Sequence, residues 1–228
     1  GHQADPVPHQ LQLADHRRDT SDEAIRAAVE QHNEVCRLIR AIGDFRKEAN
    51  PRVTGYEFHI LTLVSYVAPK HLIVDKLRET LEEIKTREPD AADKYRARVV
   101  FVGSEVDDVD VIRLVEESGA YVCADRFCYG SLPGRDEILL NDDEDVVKQV
   151  CRQVQGRAQC PRYWDMAKMT GRRDYVADLA KEYGADGIIY EQMKFCDPWA
   201  YERMIGTIVL RDEHGYPVLA VDRPYSIG

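Results

Sequence analysis

The chain has 228 residues, a hydrophobic content of 44% and a formal net charge of −10, with a pI near 5.2. Its acidity excludes nucleic acid as the main partner, because phosphate backbones need a basic surface, and no apolar run reaches the roughly 20 residues that span a bilayer. The six cysteines, at 36, 123, 128, 151, 160 and 196, are scattered through helix- and strand-rich sequence without a disulfide framework, and the N-terminus lacks a charged-then-apolar leader, so a reducing cytoplasm is expected.

Residues 1–19 are polar, with two prolines and three histidines, and read as a linker or extended arm. Thr20-Ser-Asp-Glu23 has the form of a capping box and opens a helix with Ile25, Ala28, Val29, Val35, Leu38 and Ile39 at a 3.6-residue period. Thr54-Gly-Tyr-Glu57 is a second capping box, ahead of a more apolar helix from Phe58 to about Val67 that Pro69 closes. A third helix, His71 to Thr86, places Leu72, Ile73, Leu77, Leu81 and Ile84 on one side. Its charged face, with Glu82, Glu83, Lys85 and Arg87, is a solvated surface. Residues 20–90 therefore form a helical segment, not a catalytic one.

From Arg98 the pattern changes. Arg98–Gly103 is a short β-branched strand, followed by helix Val109 to Ser118 and a second strand, Tyr121–Ala124. A long connection leads into a helix around Asp143 to Gln155. Helix Arg172 to Tyr183, strand Gly187–Glu191, helix Trp199 to Leu210 and strand Pro217–Val221 complete the chain. Strand–helix alternation at this spacing predicts an α/β domain over residues 91–228: a parallel sheet flanked by helices, flavodoxin- or Rossmann-like, preceded by the helical segment. Right-handed crossovers then bring the strand-to-helix loops to one edge.

Those loops hold most of the reactive side chains. Gly103-Ser104-Glu105 follows the first strand, Asp125 to Ser131 the second, Gln192 to Asp197 the third and Asp222 to Tyr225 the fourth. The third is the most informative: Cys196 and Asp197 follow a buried parallel strand and precede a helix that starts at about Pro198. A thiol there lies where open α/β sheets place ligands, and the positive end of the helix favours its thiolate. A small buried loop cysteine is the plainer reading. No Gly-x-Gly-x-x-Gly or Walker loop occurs, and Gly103-Ser104 is either a phosphate loop or an ordinary tight turn. Tyr183 and Trp199 read as core aromatics.

The cysteine spacings match neither zinc knuckles nor the dense runs of ferredoxins. Cys123 lies within a strand, Cys36 and Cys151 lie on amphipathic helices, and Cys160 precedes Pro161 in a loop of undefined position. Only Cys128 and Cys196 combine a loop with the ligand-binding edge. Two thiolates cannot complete a four-iron cluster, so such a site needs ligands from elsewhere. Gly103, Ser104, Asp125, Gln192 and Asp197 are the candidate substrate contacts.

The segment Gly119-Ala-Tyr-Val-Cys-Ala-Asp-Arg-Phe-Cys-Tyr-Gly-Ser131 resembles the strand-loop signature of the 2-hydroxyacyl-CoA dehydratase and benzoyl-CoA reductase superfamily. Ala185-Asp-Gly-Ile-Ile-Tyr-Glu-Gln-Met-Lys-Phe-Cys-Asp-Pro198 is similar to its second signature. Gly215 to Tyr225 resembles its last strand, and Glu30-Gln-His-Asn33 with Arg37 its linker helix. The wording Phe127-Cys-Tyr-Gly-Ser-Leu-Pro-Gly134 leans towards a benzoyl-CoA reductase-type subunit, with a dehydratase subunit as the alternative. Family subunits are longer, so the chain resembles a C-terminal half, expected to be inactive by itself.

The resemblance implies that Cys196, and less directly Cys128, ligates a [4Fe-4S] cluster shared with an N-terminal domain or partner chain. It also implies an acyl-CoA substrate, a sister reductase or dehydratase subunit, and a separate ATP-hydrolysing activator as electron donor. A non-redox acyl-CoA-binding or assembly module competes with this reading. A weaker alternative is an acyl transferase with Cys196 as nucleophile. It lacks a histidine in an obvious partner position, since His214 is expected at the opposite edge.

Overall fold

The computed structural model describes residues 19–89, 94–128 and 136–225. The arm expected over residues 1–19 lies, up to residue 18, outside the described residues, as does the Tyr129–Ser131 part of the second loop.

Among the described residues the N-terminal segment has three α-helices, with a short 3-10 turn (Phe45–Lys47) after the first. Helix α1 (Asp22–Asp44) is capped by Ser21, whose Oγ accepts from the Ala24 amide at 3.3 Å. The cap falls one residue after Thr20, because Ser21 holds the extended backbone and the Asp19 carboxylate accepts from its amide at 2.9 Å. Helix α2 (Gly55–Val67) carries the predicted reciprocal box, Thr54 with Glu57, which satisfies two otherwise orphaned donors. Helix α3 (Lys70–Thr86) follows Pro69. Val35, Ile39, Ile42, Phe58, Ile73, Leu77 and Ile84 pack between these helices as a core of their own.

The remainder is a four-stranded, all-parallel sheet in the order β2-β1-β3-β4. Its elements are β1 (Ala97–Gly103), helix α4 (Val109–Glu117), β2 (Ala120–Arg126), helices α5 (Val146–Gly156) and α6 (Met166–Glu182), β3 (Gly187–Met193), helix α7 (Asp197–Asp212) and β4 (Val218–Arg223). Successive β1 residues face opposite ways. Val100 and Val102 join Val176, Ala180, Trp199 and Leu210 on one side; Val99 and Phe101 join Val111, Ile112 and Phe127 on the other. Both faces are covered, which explains the unbroken apolar run in β1. Among the described residues no helix is long and apolar enough to cross a membrane.

Four boundaries differ from expectation in ways that matter for the site. Helix α6 begins at Met166 instead of Arg172, where Asp165 accepts from the Lys168 amide at 2.8 Å. Its buried positions start only at Arg172, so the exposed first turns carry no apolar period. Strands β2, β3 and β4 run two residues further than predicted, placing Asp125, Gln192 and Arg223 within strands. Polar residues at strand ends read as loop; here a buried partner satisfies Asp125, and the sheet continues.

The helical segment docks on the β2 edge. The Tyr121 hydroxyl donates to the Val53 carbonyl at 2.7 Å. The Glu116 carboxylate accepts from the Gly55 and Tyr56 amides at 2.8 and 3.1 Å and from Val122 at 3.2 Å. An anion at the α2 N-terminus meets both the free amides and the positive end of the helix dipole. Gly55 is required for this approach, since a Cβ there would lie 2.6 Å from Val122 Cβ.

Candidate functional site

Strand β1 has β2 on one side and β3 on the other, so the strand order reverses at the carboxyl ends of β1 and β3, the position where open α/β sheets hold ligands. Buried polar side chains occupy this crevice. The Ser104 amide and hydroxyl donate to Glu191 Oε2 at 3.1 and 2.9 Å, and Arg223 Nε donates to Oε1 at 3.1 Å. Arg223 also donates to the Glu105 carbonyl. Burial pushes the Glu191 carboxyl up against the pull of Ser104 and Arg223. Gly103 is packed so closely that an added Cβ would lie 2.7 Å from the Glu191 carbonyl oxygen. Gly103 thus ends β1, and Ser104 just beyond it is bonded to Glu191 of β3.

This network positions the end of β3. The Met193 amide donates to Ser104 Oγ at 2.6 Å and the Lys194 amide to the Arg223 carbonyl at 2.8 Å. Phe195 then adopts φ 72°, a left-handed conformation that bulky side chains seldom take. Its ring is 96% exposed. The turn delivers Cys196 to the N-cap of α7, where the Cys196 amide donates to Met193 O at 3.1 Å and its carbonyl accepts from Ala200 at 3.0 Å. Pro198 lies in the first turn, as its missing amide proton allows. Asp197 is exposed beside Cys196. Burial raises the Cys196 pKa; the Trp199 amide favours the thiolate but does not offset it, and Cys160 adds to the rise. The helix terminus therefore contributes as expected, and burial outweighs it. At the end of β3, the side-chain oxygen of Gln192 accepts from Arg203 Nε at 3.2 Å.

Cys128 lies on the same edge, its amide donating to the Ser104 carbonyl at 3.1 Å. Its sulfur accepts from Trp199 Nε1 at 2.7 Å and neighbours the thiol of Cys160. The hydrogen bond with Cys160 and burial push Cys128 up, whereas the same bond lowers Cys160 to about 6. A cavity of about 560 Å³ opens beside the pair, with His32, Lys70, Arg126 and Trp199 among its lining residues. Trp199 is a core aromatic, as predicted, and also a hydrogen-bond donor to the site. Cys160 lies in a connection with no periodic pattern, so only tertiary packing reveals its place.

Asp125 is not among the residues that line that cavity. It holds the guanidinium of Arg46 at 2.7 Å, and both side chains are buried.

Among the described residues, no group of three or more His, Cys, Asp or Glu side chains is placed to hold a metal ion. These residues alone do not fit an iron–sulfur cluster. Cys196, half-buried at a turn on the ligand edge, fits as a single thiolate donor.

The family model described as 2-hydroxyglutaryl-CoA dehydratase, D-component, matches residues 13–227. The chain is 26% identical over 182 residues to the (R)-phenyllactyl-CoA dehydratase beta subunit of Clostridium sporogenes, covering 80% of this chain and 47% of that protein. It is 23% identical over 188 residues to a benzoyl-CoA reductase subunit of Thauera aromatica, covering 82% of this chain and 48% of that protein. The chain spans about half the length of these curated relatives. With the family model matching almost every residue from one end to the other, the chain belongs to the 2-hydroxyglutaryl-CoA dehydratase D-component family.

Proposed function

We propose that this chain is the C-terminal part of a subunit of an ATP-dependent, iron–sulfur acyl-CoA reductase of the benzoyl-CoA reductase type. The observation that carries the reading is Cys196. A left-handed Phe195 and a buried Ser104–Glu191–Arg223 network hold a half-exposed thiol at the ligand edge of a parallel sheet. Strained backbone persists where the surroundings over-determine it, and it clusters at functional sites.

In this reading Cys196 supplies one thiolate to a [4Fe-4S] cluster whose other ligands come from outside the described residues. Such a cluster supplies low-potential electrons, with burial and hydrogen bonding to sulfur setting its potential. The chain's own residues position the thiol: Ser104 and Arg223 fix the backbone at Met193 and Lys194, and the Trp199 amide faces the sulfur. Gln192 and Asp197, flanking the turn, are the proposed contacts to the acyl-CoA thioester. A sister subunit is the proposed occupant of the surface around the turn, where Phe195 is exposed and exposed Trp164 and Tyr201 line a pocket with Asp197 and Pro198; exposed apolar clusters mark contact faces. The electron donor is a separate ATP-hydrolysing activator.

A 2-hydroxyacyl-CoA dehydratase subunit is the alternative chemistry, supported by likeness to a dehydratase subunit as well as to a reductase subunit. A non-redox acyl-CoA-binding or assembly module is favoured by one observation, the lack of a multi-ligand group among the described residues.

The test is iron and acid-labile sulfide on anaerobically purified protein, alone and with its partner subunits, for wild type and Cys196→Ser. Iron present only in the wild-type complex, and lost from the variant, is the expected result. Unchanged iron in the variant removes Cys196 as a ligand, and iron in neither wild-type sample favours the non-redox module. Supplying the activated complex with an aromatic and a 2-hydroxyacyl thioester separates reductase from dehydratase.

A further inference from the structure

We propose that Cys128 and Cys160 are a reversible dithiol–disulfide pair, a modification site for low-molecular-weight disulfides that is distinct from the role of Cys196. Three features bring the two thiols together. The buried guanidinium of Arg126 donates through Nε to Gln159 Oε1 at 3.0 Å and through Nη2 to the Gln159 carbonyl at 2.7 Å. It thereby clamps the α5–α6 connection, next to Cys160, onto the strand end that carries Cys128. Trp199 lies 5.0 Å beneath that guanidinium and orients the Cys128 sulfur through its indole N–H at 2.7 Å. Cys160, next to the clamped Gln159, and Cys128, just past Arg126, both line the 560 Å³ cavity, which gives a small reagent a way in.

The chemistry balances without any group from the acyl-CoA reaction. Cys160 loses its proton to water as its sulfur attacks one sulfur of the reagent disulfide, forming a mixed disulfide and releasing one reagent thiolate, which takes the Cys128 proton. Cys128 sulfur then attacks Cys160 sulfur, and the second reagent thiolate leaves and takes a proton from water. Two protein thiols are oxidised and one reagent disulfide is reduced to two thiols. The bond ties the end of β2 to the α5–α6 connection on the cavity wall. Cys36 and Cys123 are fully buried, and exposed Cys151 serves as an ordinary surface thiol for comparison.

The test treats the full chain, purified anaerobically, with oxidised glutathione. Remaining thiols are alkylated in denaturant and the tryptic peptides are mapped by mass. Peptide 127–135 should be joined to 158–162, two hydrogens lighter than the sum, and dithiothreitol should release both. Cys160→Ser should abolish the joined species, and Cys128→Ser should leave glutathione on 158–162. Separate, fully alkylated 127–135 and 158–162 peptides while Cys151 carries glutathione overturn the proposal. So does a joined species linking 158–162 to 195–203, the Cys196 peptide. The wild-type map and Cys160→Ser decide the matter if the more buried Cys128 variant does not fold.

Discussion

Replacing Asp125 by alanine is expected to destabilise the chain by about 3–5 kcal/mol, the cost of removing one partner from a buried ion pair. The magnitude follows from burial. An exposed pair would contribute only about 0–1 kcal/mol, but Arg46 and Asp125 are 0% and 3% exposed, with the charged atoms 2.7 Å apart. Burial opposes the charge on Arg46, and Asp125 together with Tyr183 and Tyr121 outweighs it, so the guanidinium pKa stays raised. Without Asp125 the cation keeps the Phe58 ring at 3.7 Å, while Nε and Nη2 make no hydrogen bond among the described residues even in the intact protein. A ring face contributes about 0.5–2 kcal/mol and cannot replace a carboxylate. Urea unfolding followed by circular dichroism reads the loss, and at roughly 2–4 °C per kcal/mol for a chain of this size the melting temperature should fall by about 10 °C. A double variant, Arg46→Met with Asp125→Leu, should recover most of the loss, because apolar replacement of a buried pair is often neutral. If Asp125→Ala costs less than about 1 kcal/mol, the site is solvated and the reasoning fails.

Two further outcomes follow from the packing. His59 is buried with its ring edge-on to Phe127 at 5.3 Å, and burial lowers its pKa against the pull of Asp125. The unfolded chain takes up a proton near pH 6.5 that the native imidazole refuses. Stability is therefore complete above that pH and declines as pH falls towards the lower folded value. His59→Phe should flatten this acid-side loss in urea midpoints, and identical slopes for the two proteins would exclude His59 as its source. Gly103→Ala should cost about 1–3 kcal/mol, as overpacking does, because the new Cβ would meet Glu191 Oε2 at 2.4 Å and its carbonyl oxygen at 2.7 Å. Gly103 pairs with Glu191 in the β1–β3 ladder, so the backbones cannot easily separate; an unchanged urea midpoint would count against this.

Local pattern alone located the elements that repeat or terminate simply. The Thr54 box, the apolar period of α3 and the buried runs of β1 and β3 were legible because each depends on neighbours within a few residues. Alternating strands and helices likewise implied a parallel sheet, and the Lys194-Phe-Cys-Asp197 wording led to the family that the whole-chain match supports. Boundaries were less legible where polar residues end a strand. Asp125 reads as loop in sequence, yet it continues β2 because Arg46, from the 3-10 turn after α1, neutralises it inside.

Sequence by itself determined the α/β class, the helical N-terminal segment and the placement of Cys196 at a strand-to-helix turn, since periodicity and capping are local properties of the chain. Only the tertiary structure decided which loops meet. Ser104, Glu191 and Arg223 converge from three different strand ends, and Arg126 draws Cys160 onto Cys128. Those contacts depend on strand order and long-range charge pairing, which no window along the sequence contains.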